Sequence, residues 1–428
     1  MKSKILSLTL ILAMTLSFAA CSKSLGPETL PSTTLPTETK PVETSSVNTE
    51  PTETEPLAPE PTSIPLISKM PVKNYGKLYV NNGSITTKNK TPVVLRGMSS
   101  DVLSECAGFF GAETVKTIAE DWGADVLRIA VPADKVDESY IKNSEKYFKQ
   151  TCEIIDLCVS QGIYVIVDWH INNNGDPNAN SKKAVEFFTR IAGVYADCPN
   201  LIYEICNEPN GTRTVNKKKV AVDWDKAVKP YAETVIKAIR AIDKDNIIIV
   251  GTPDWCRDIE KAADNPIKGS NICYSVHFNA ASDGEALQTS IFNAKTRGIC
   301  VIATEWKSTD SSGVSAPNVE NTAKWLDFLD ENKISWCNAS IGGNNSSSSN
   351  ALIFASEKYS IEDLFAGHWP DGLISESGIL VRDRLLAAKG TKKPDTVYTP
   401  EDDADDSGDF GDDEDVPDGE EDIPEPEE

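Results

Sequence analysis

The sequence predicts an α/β protein, a (β/α)8 TIM barrel with a disordered N-terminal linker and a disordered acidic C-terminal tail. Eight short apolar, β-branched runs alternate with amphipathic segments over roughly 300 residues, which is the pattern of a closed parallel barrel. The fingerprints GxGxxG and GxxxxGK[ST], which mark nucleotide-binding doubly wound sheets, are missing from the sequence. A hydrophobic content of 39% is enough to bury a core of this size.

The predicted strands are short apolar runs of the kind that parallel sheets bury on both faces. In chain order they read VVLRGM, VLRIAV, IYVIVDW, LIYEIC, NIIIVG, ICYSVHF, ICVIATEW and ISWCNAS. Helical patterns fall between them, and the clearest are SEKYFKQTCEIIDLCVSQG, SKKAVEFFTRIAGVYADC, WDKAVKPYAETVIKAIRAID and NTAKWLDFLDENK. We therefore place the barrel domain at residues 69–395.

Residues 1–20 have the parts of an export signal, with Lys2 and Lys4 before an apolar stretch and small residues before Cys21. The apolar stretch is short for a membrane span. The segment resembles a bacterial lipoprotein signal, which implies that Cys21 becomes the lipidated first residue of an extracellular protein anchored to a membrane. The alternative is an ordinary signal peptide with an incidental cysteine. Both interpretations predict export.

The two predicted tails flank the barrel and account for most of the charge. Residues 21–68 are dominated by Pro, Thr, Glu and Ser, a composition that favours an extended linker. Residues 396–428 form the acidic tail, and the last 28 residues hold 17 Asp or Glu without Lys or Arg. Residues 403–414 fit the spacing of an EF-hand calcium loop, but no helix-forming sequence flanks them, which favours a solvated tail. The net charge of −24 and the lack of a basic patch exclude a nucleic-acid partner.

Polar residues collect where the predicted strands end, the place where TIM barrels carry their active sites. They are Arg128, Asp168, His170, Asn207, Glu208, His277 and Glu305. Glu208 and Glu305 end the fourth and seventh strands and can face each other across the mouth of the barrel. Glycoside cleavage uses such a pair of carboxyl groups, and a separation of about 5 to 5.5 Å would indicate retention of configuration.

The segment from about residue 70 to 390 resembles glycoside hydrolase family 5, in particular its bacterial endo-β-1,4-glucanases. The matching stretches, in order, are VVLRGMSS, WGADVLRIAV, GIYVIVDWHI, LIYEICNEPNG, YSVHF, VIATEW and ISWCNAS. The resemblance implies that Glu208 is the proton donor and Glu305 the nucleophile, and that Arg128 keeps Glu305 ionised. It also implies no metal or organic cofactor.

The resemblance further implies a set of residues that bind the sugar. Asn207 would hold its 2-hydroxyl, and His170 and His277 would line the subsite where the bond breaks. Trp255 is placed to stack on a sugar ring, although a buried tryptophan is an alternative. Arg128 could instead be a structural ion pair, each His a satisfied polar residue, and Asp168 a supporting residue or a helix cap.

Three positions depart from the family pattern, namely Asp101 where it has His, Asn279 where it has Tyr, and Ala339 where it has Trp. The loop IGGNNSSSSN also lacks the Lys and Glu that the family brings to a distant subsite. We expect all of these losses on the glycone side of the cleft. The loss of the stacking Trp at position 339 and of the Tyr hydroxyl at position 279 should each weaken the stabilisation of the transition state by about 1 to 3 kcal/mol. The sequence therefore predicts low activity on plain cellulose or a decorated or mixed-linkage substrate.

Two alternatives stay open at this point. A mannanase or xylanase of the same fold would use the same carboxylates, because specificity depends on loop shape. A non-catalytic, glycan-binding surface lipoprotein would have no need of them. In each case we expect a monomer whose partner is a β-linked polysaccharide or oligosaccharide.

Overall fold

The computed structural model describes residues 70–106, 108–135, 137–342, 347–353 and 359–390. The predicted signal peptide, Cys21, the linker and the acidic tail lie outside the described residues. The strands are β1 (Tyr79–Asn81), β2 (Ser84–Thr86), β3 (Arg96–Val102), β4 (Val126–Pro132), β5 (Tyr164–His170), β6 (Leu201–Glu204), β7 (Thr212–Val215), β8 (Lys218–Ala221), β9 (Ile248–Gly251), β10 (Ile272–Asn279), β11 (Cys300–Lys307) and β12 (Ser335–Ile341).

The helices alternate with the strands along the chain. They are α1 (Pro71–Tyr75), α2 (Ala112–Glu120), α3 (Ser144–Gln161), α4 (Ser181–Tyr195), α5 (Lys229–Ile242), the short turn α6 (Pro253–Cys256), α7 (Ile259–Asp264), α8 (Glu285–Thr296), α9 (Val319–Glu331), α10 (Ile361–Phe365) and α11 (Glu376–Ala388). Among the described residues, no helix combines the length and the apolar character needed to cross a bilayer.

Eight parallel strands form a closed barrel in the order β3, β4, β5, β6, β9, β10, β11, β12, and β12 pairs with β3 to close the ring. A helix follows each of these strands, which confirms the predicted (β/α)8 barrel. Every residue of β4, β5 and β12 is buried, as expected for strands covered by side chains within the ring and by helices outside it.

Each predicted strand overlaps an observed one, but two boundaries differ. The first barrel strand begins at Arg96, because the backbone amide of Val93 donates to Ile85 in the small β1–β2 sheet. The fourth ends at Glu204, so Asn207 and Glu208 follow the strand instead of ending it. The amide of Asn207 still donates to the carbonyl of Trp169 at 3.2 Å, which ties this segment to β5.

Two local features were not predicted. Strands β7 and β8 form an exposed antiparallel hairpin directly after Glu208, and Asn216 and Lys217 make its turn with φ of 50° and 64°. After β9, Asp254 and Trp255 lie in the left-handed region with φ of 56° and 53°. Both features lie on the face of the barrel where the strands end.

Cysteines contribute to the core as small apolar side chains. The described residues contain nine free cysteines and no disulfide. Cys273 and Cys300 face each other across β10 and β11, with their Sγ atoms 2.9 Å apart, in the apolar layer that β1 and β2 cover.

Candidate active site

Arg128 lies at the centre of a buried charge network at the mouth of the barrel. It points inward from β4, and its side chain is fully buried. Its nitrogens donate to five side chains, four on other strands and Asn207 in the segment after β6: Glu204 at 2.6 Å, Asn207 at 2.8 Å, Asp168 at 2.9 Å, Ser99 at 3.0 Å and Glu305 at 3.3 Å. Burial lowers the pKa of Arg128, but Asp168 and Glu204 outweigh it and raise the pKa.

Glu305 lies on β11 beside His277 of β10, its register partner. One of its oxygens accepts from Nη1 of Arg128 at 3.3 Å. Burial raises the pKa of Glu305, but His277, Arg128 and Lys307 outweigh burial and lower the pKa to about 2. Glu305 is therefore an ionised carboxylate over the whole physiological pH range.

Glu208 faces the same space from the loop after β6. Its Oε1 lies 2.7 Å from Nδ1 of His277, and Nε2 of His277 lies 3.0 Å from the hydroxyl of Thr304. One oxygen of Glu208, one oxygen of Glu305 and a ring nitrogen of His277 all lie within 4.8 Å of one another. The two carboxyl groups therefore meet over one pocket.

These three atoms also have the spacing of a metal site, and Glu208, His277 and Glu305 are the residues that could hold a cation here. The donor set does not favour it, because Glu305 already accepts a hydrogen bond from a guanidinium and Glu208 is hydrogen-bonded to His277. The arrangement fits better a pair of carboxyl groups that react together. Glu305 is the ionised member, and Glu208 is the member that can pass a proton to a bound molecule.

His170 and Asn207 complete the floor of the pocket. Nδ1 of His170 lies 2.7 Å from Asp168, and the amide nitrogen of Asn207 lies 3.4 Å from Nε2 of the same ring. Burial lowers the pKa of His170, but the bond to Asp168 and its charge outweigh burial and raise the pKa. Asp168 lies inside β5 and joins Arg128 to His170, so the helix-cap alternative is wrong.

Two cavities open on either side of Glu305. The first, which we call the Trp255 cavity, has a volume of about 300 Å³ and is lined by Glu208, Trp255, Arg257, His277, Asn279, Glu305 and Lys307, among others. The second, the Asp101 cavity, measures about 240 Å³ and is lined by Asp101, His170, Glu305, Lys307, Ala339, Ser340, Ser347, Ser349 and Asn350, among others. The Trp255 side chain is 45% exposed, so the alternative of a buried tryptophan is wrong.

The departures from the family pattern are divided between the cavities. Asp101 and Ala339 line the Asp101 cavity, where the tail of the Ser-rich loop contributes hydroxyls. Asn279 lines the Trp255 cavity instead, because β10 lies between β9, which leads to Trp255, and β11. Asn279 therefore lines a different cavity from Asp101 and Ala339, and the common location of the three on the glycone side stays a prediction. Residues 343–346 of the loop lie outside the described part of the chain.

Two functional side chains were missed by the sequence analysis. Glu204 lies within the apolar run LIYEIC, which was assigned to core packing, yet it accepts from both Arg128 and Thr304. Burial raises the pKa of Glu204, and the charge of Arg128 opposes that shift. Lys307 follows Glu305 by two positions and lines both cavities. Lys307 could have been predicted in the same way as Glu305, because it is also a polar residue near the end of a strand.

Comparison with known proteins agrees with this geometry. The family model described as "Cellulase (glycosyl hydrolase family 5)" matches residues 86–345. The chain is 35% identical to Endoglucanase 5 of Pectobacterium carotovorum subsp. carotovorum over 79% of this chain and 63% of the relative. It is 36% identical to Endoglucanase N of Pectobacterium atrosepticum over 78% of this chain and 71% of the relative. The chain thus spans about two thirds of the length of these curated relatives.

Solved structures give the same result. The catalytic domain of Thermobifida fusca endoglucanase Cel5A superposes with a TM-score of 0.66 and 30% identity, covering 74% of this chain and 99% of that domain. Cellulase Cel5C_n superposes with a TM-score of 0.67 and 32% identity, covering 74% of this chain and 94% of that one.

Proposed function

The chain belongs to glycosyl hydrolase family 5, the cellulase family, and on that premise we propose that it cleaves β-1,4-linked glucan with retention of configuration. The names of its relatives support the activity, since those compared above are an endoglucanase or a cellulase. The substrate class is supported by the Thermobifida fusca enzyme, of which a structure in complex with cellotetraose exists.

One observation carries the stereochemical proposal. Oxygens of Glu208 and Glu305 lie within 4.8 Å of each other. Retaining glycosidases separate their carboxyl groups by about 5 to 5.5 Å, whereas inverting ones need about 6.5 to 9.5 Å to admit a water molecule between the general base and the sugar. The short spacing supports direct attack by a carboxylate, and hence retention of configuration.

In the first step, the carboxyl group of Glu208 donates its proton to the glycosidic oxygen while Glu305 attacks the anomeric carbon. The leaving sugar departs, and a glycosyl ester forms on Glu305. In the second step, Glu208, now a carboxylate, removes a proton from water, which attacks the anomeric carbon and frees Glu305. The low pKa of Glu305 suits a nucleophile and leaving group that must be ionised at neutral pH.

The surrounding residues position the pair. Arg128 holds Glu305 from below and also holds Asn207, whose amide we assign to the 2-hydroxyl of the reacting sugar. His277 connects Glu208 through Thr304 to the buried Glu204, with successive distances of 2.7, 3.0 and 2.7 Å. His170 lines the other side of the reacting subsite. This network fixes the orientation of both carboxyl groups before substrate arrives.

The stereochemical test uses an aryl β-cellobioside and azide. With Glu305→Ala, azide should attack from the emptied face and give the α-glycosyl azide. With Glu208→Ala, the glycosyl ester on Glu305 can still form, because the aryl leaving group needs no proton from an acid. Azide should then attack this ester and give the β-glycosyl azide. Glu320→Ala, at an exposed glutamate on α9, serves as the matched control and should behave as the unmodified protein does. Hydrolysis that persists unchanged in Glu305→Ala would contradict the assignment.

The same variants separate hydrolysis from glycan binding alone. A surface glycan-binding protein would keep its affinity for oligosaccharides and show no turnover before any substitution. A panel of glucan, mannan and xylan with the unmodified protein decides between substrates, and we expect slow turnover of plain cellulose and faster turnover of a decorated or mixed-linkage glucan.

We further propose that the protein is exported and anchored through a lipid on Cys21. The sequence of residues 1–21 supports this proposal. The test is partition into detergent after expression of the full chain in a bacterial host, compared with a Cys21→Ser variant. Equal partition of the two forms would reject the anchor and leave export to be judged from signal cleavage.

A further inference from the structure

The cation nearest the reacting pair, apart from the buried Arg128, is Lys307. It ends β11, two residues after Glu305, and it is half-buried where the Trp255 and Asp101 cavities meet. Its positive charge contributes to the low pKa of Glu305. Within the described residues, no carboxylate oxygen lies within 4 Å of its ammonium group.

Arg257, in contrast to Lys307, is paired with a carboxylate. It also lines the Trp255 cavity, but its Nη2 is 2.6 Å from Asp283. Asp283 is fixed in turn by the backbone amide of Asn279 at 2.7 Å. Arg257 is thus neutralised by the protein, whereas a partly dehydrated ammonium at Lys307 would gain from a negative charge in the cavity.

The acidic groups of the cavity do not supply that charge. Glu305 is shared with Arg128, and in the proposed ground state Glu208 carries the proton that it donates. Within the described residues, Lys307 is thus a cation without a carboxylate oxygen within 4 Å, and it lines the same cavity as the exposed indole ring of Trp255. A sugar ring that stacks on this indole would bring its substituents toward Lys307.

On the basis of the proposed function, we propose that this subsite selects glucan units that carry a carboxylate substituent, with Lys307 as the group that binds it. The exposed β7–β8 hairpin supports this inference independently. It follows Glu208 on the same face of the barrel and presents three consecutive exposed lysines, Lys217 to Lys219. Such a cluster attracts an anionic chain over about 10 Å at moderate ionic strength.

The experiment compares carboxymethyl cellulose with neutral hydroxyethyl cellulose of matched chain length and degree of substitution. The readout is the ratio of the two kcat/KM values, which cancels any general effect on catalysis. We expect the ratio to favour the anionic polymer in low salt and to fall as salt is added. Lys307→Gln should lower it about fivefold, the size of one partly shielded ion pair.

Two further variants control the result. Lys307→Arg keeps the charge and should preserve most of the ratio, and Lys237→Gln removes a lysine from the exposed face of α5 and should leave it unchanged. The inference is overturned if Lys307→Gln slows both polymers equally, since Lys307 would then act only through Glu305. That result would leave the proposed hydrolase intact.

If neither polymer is cleaved by the unmodified protein, the proposed hydrolase fails and the inference is judged by binding alone. Calorimetry with cellotetraose and with a cello-oligosaccharide oxidised to the carboxylate at C6 then gives the outcome. Tighter binding of the carboxylate that is lost in Lys307→Gln supports the subsite, and equal affinities overturn it.

Discussion

The Trp255 cavity and the Asp101 cavity share Glu305 and Lys307 but offer a sugar different surfaces. The first has an exposed indole, whereas the second is lined by small side chains, hydroxyls and one acid. Burial raises the pKa of that acid, Asp101, although a backbone hydrogen bond from Val102 opposes the shift. The charge network around Arg128, to which we assign the proposed reaction, lies between them. The difference indicates that the machinery for bond cleavage and the platforms for sugar binding can change separately.

The largest effect is expected from the buried charge network around Arg128, which holds the Glu305 that both cavities share. Arg128→Lys removes the planar guanidinium group that joins Glu204, Asp168 and Glu305. The single ammonium group of a lysine cannot reach all of the acceptors that the guanidinium binds. We expect a loss of about 3 to 5 kcal/mol in the free energy of unfolding, measured by urea denaturation.

Arg297→Lys, in a surface ion pair with Asp264, is the matched control and should cost less than about 1 kcal/mol. A similar loss in both variants would mean that the buried network contributes no more to stability than a surface pair does.

The difference between the two cavities predicts that a substitution in the Trp255 cavity weakens sugar binding without destabilising the fold. Trp255→Ala should lower kcat/KM for cello-oligosaccharides about tenfold by removing the stacking surface. Because the side chain is 45% exposed, the melting temperature should change little. Trp325→Ala, in the core beside Phe278, should reverse this pattern and destabilise the fold. Unchanged kinetics in Trp255→Ala would mean that the ring does not touch substrate.

The Asp101 cavity can be tested by a substitution that is expected to raise kcat/KM. Ala339→Trp places an indole ring in a cavity of about 240 Å³ that has no Phe, Tyr or Trp among its described lining residues. We expect kcat/KM for cello-oligosaccharides to rise about fivefold. A stable variant whose kinetics do not improve would show that the cavity has a different occupant from a glucose ring.

A further expected effect concerns acid stability. The pKa of Glu305 is lowered from an ordinary value of 4.5 to about 2, so its ionised form stabilises the fold above pH 4.5 and this contribution disappears as the pH falls toward 2. The difference in unfolding free energy between the unmodified protein and Glu305→Gln should therefore shrink between pH 5 and pH 3. A difference that stays constant over this range would contradict the low pKa.

The sequence was sufficient to predict the barrel, its eight strands and the residues at their ends, because strand periodicity and strand-end polarity are local properties. Glu204 was not predicted as a site residue, because it is a single Glu inside an apolar run. Its role depends on the ion pair with Arg128 of another strand, which the local sequence pattern does not reveal. The location of Asn279 depends on which strands neighbour β10 in the ring. The β7–β8 hairpin carries no hydrophobic alternation, since its residues are exposed or half-buried.

That hairpin divides the ring into equal halves. Four barrel strands, β3 to β6, precede the turn at Asn216 and Lys217, and four, β9 to β12, follow it. A chain cut at this turn would carry Arg128 and Glu208 on one fragment and His277 and Glu305 on the other. Turnover by a mixture of the fragments would then measure the reassociation of two half-barrels, since neither piece alone holds both carboxyl groups.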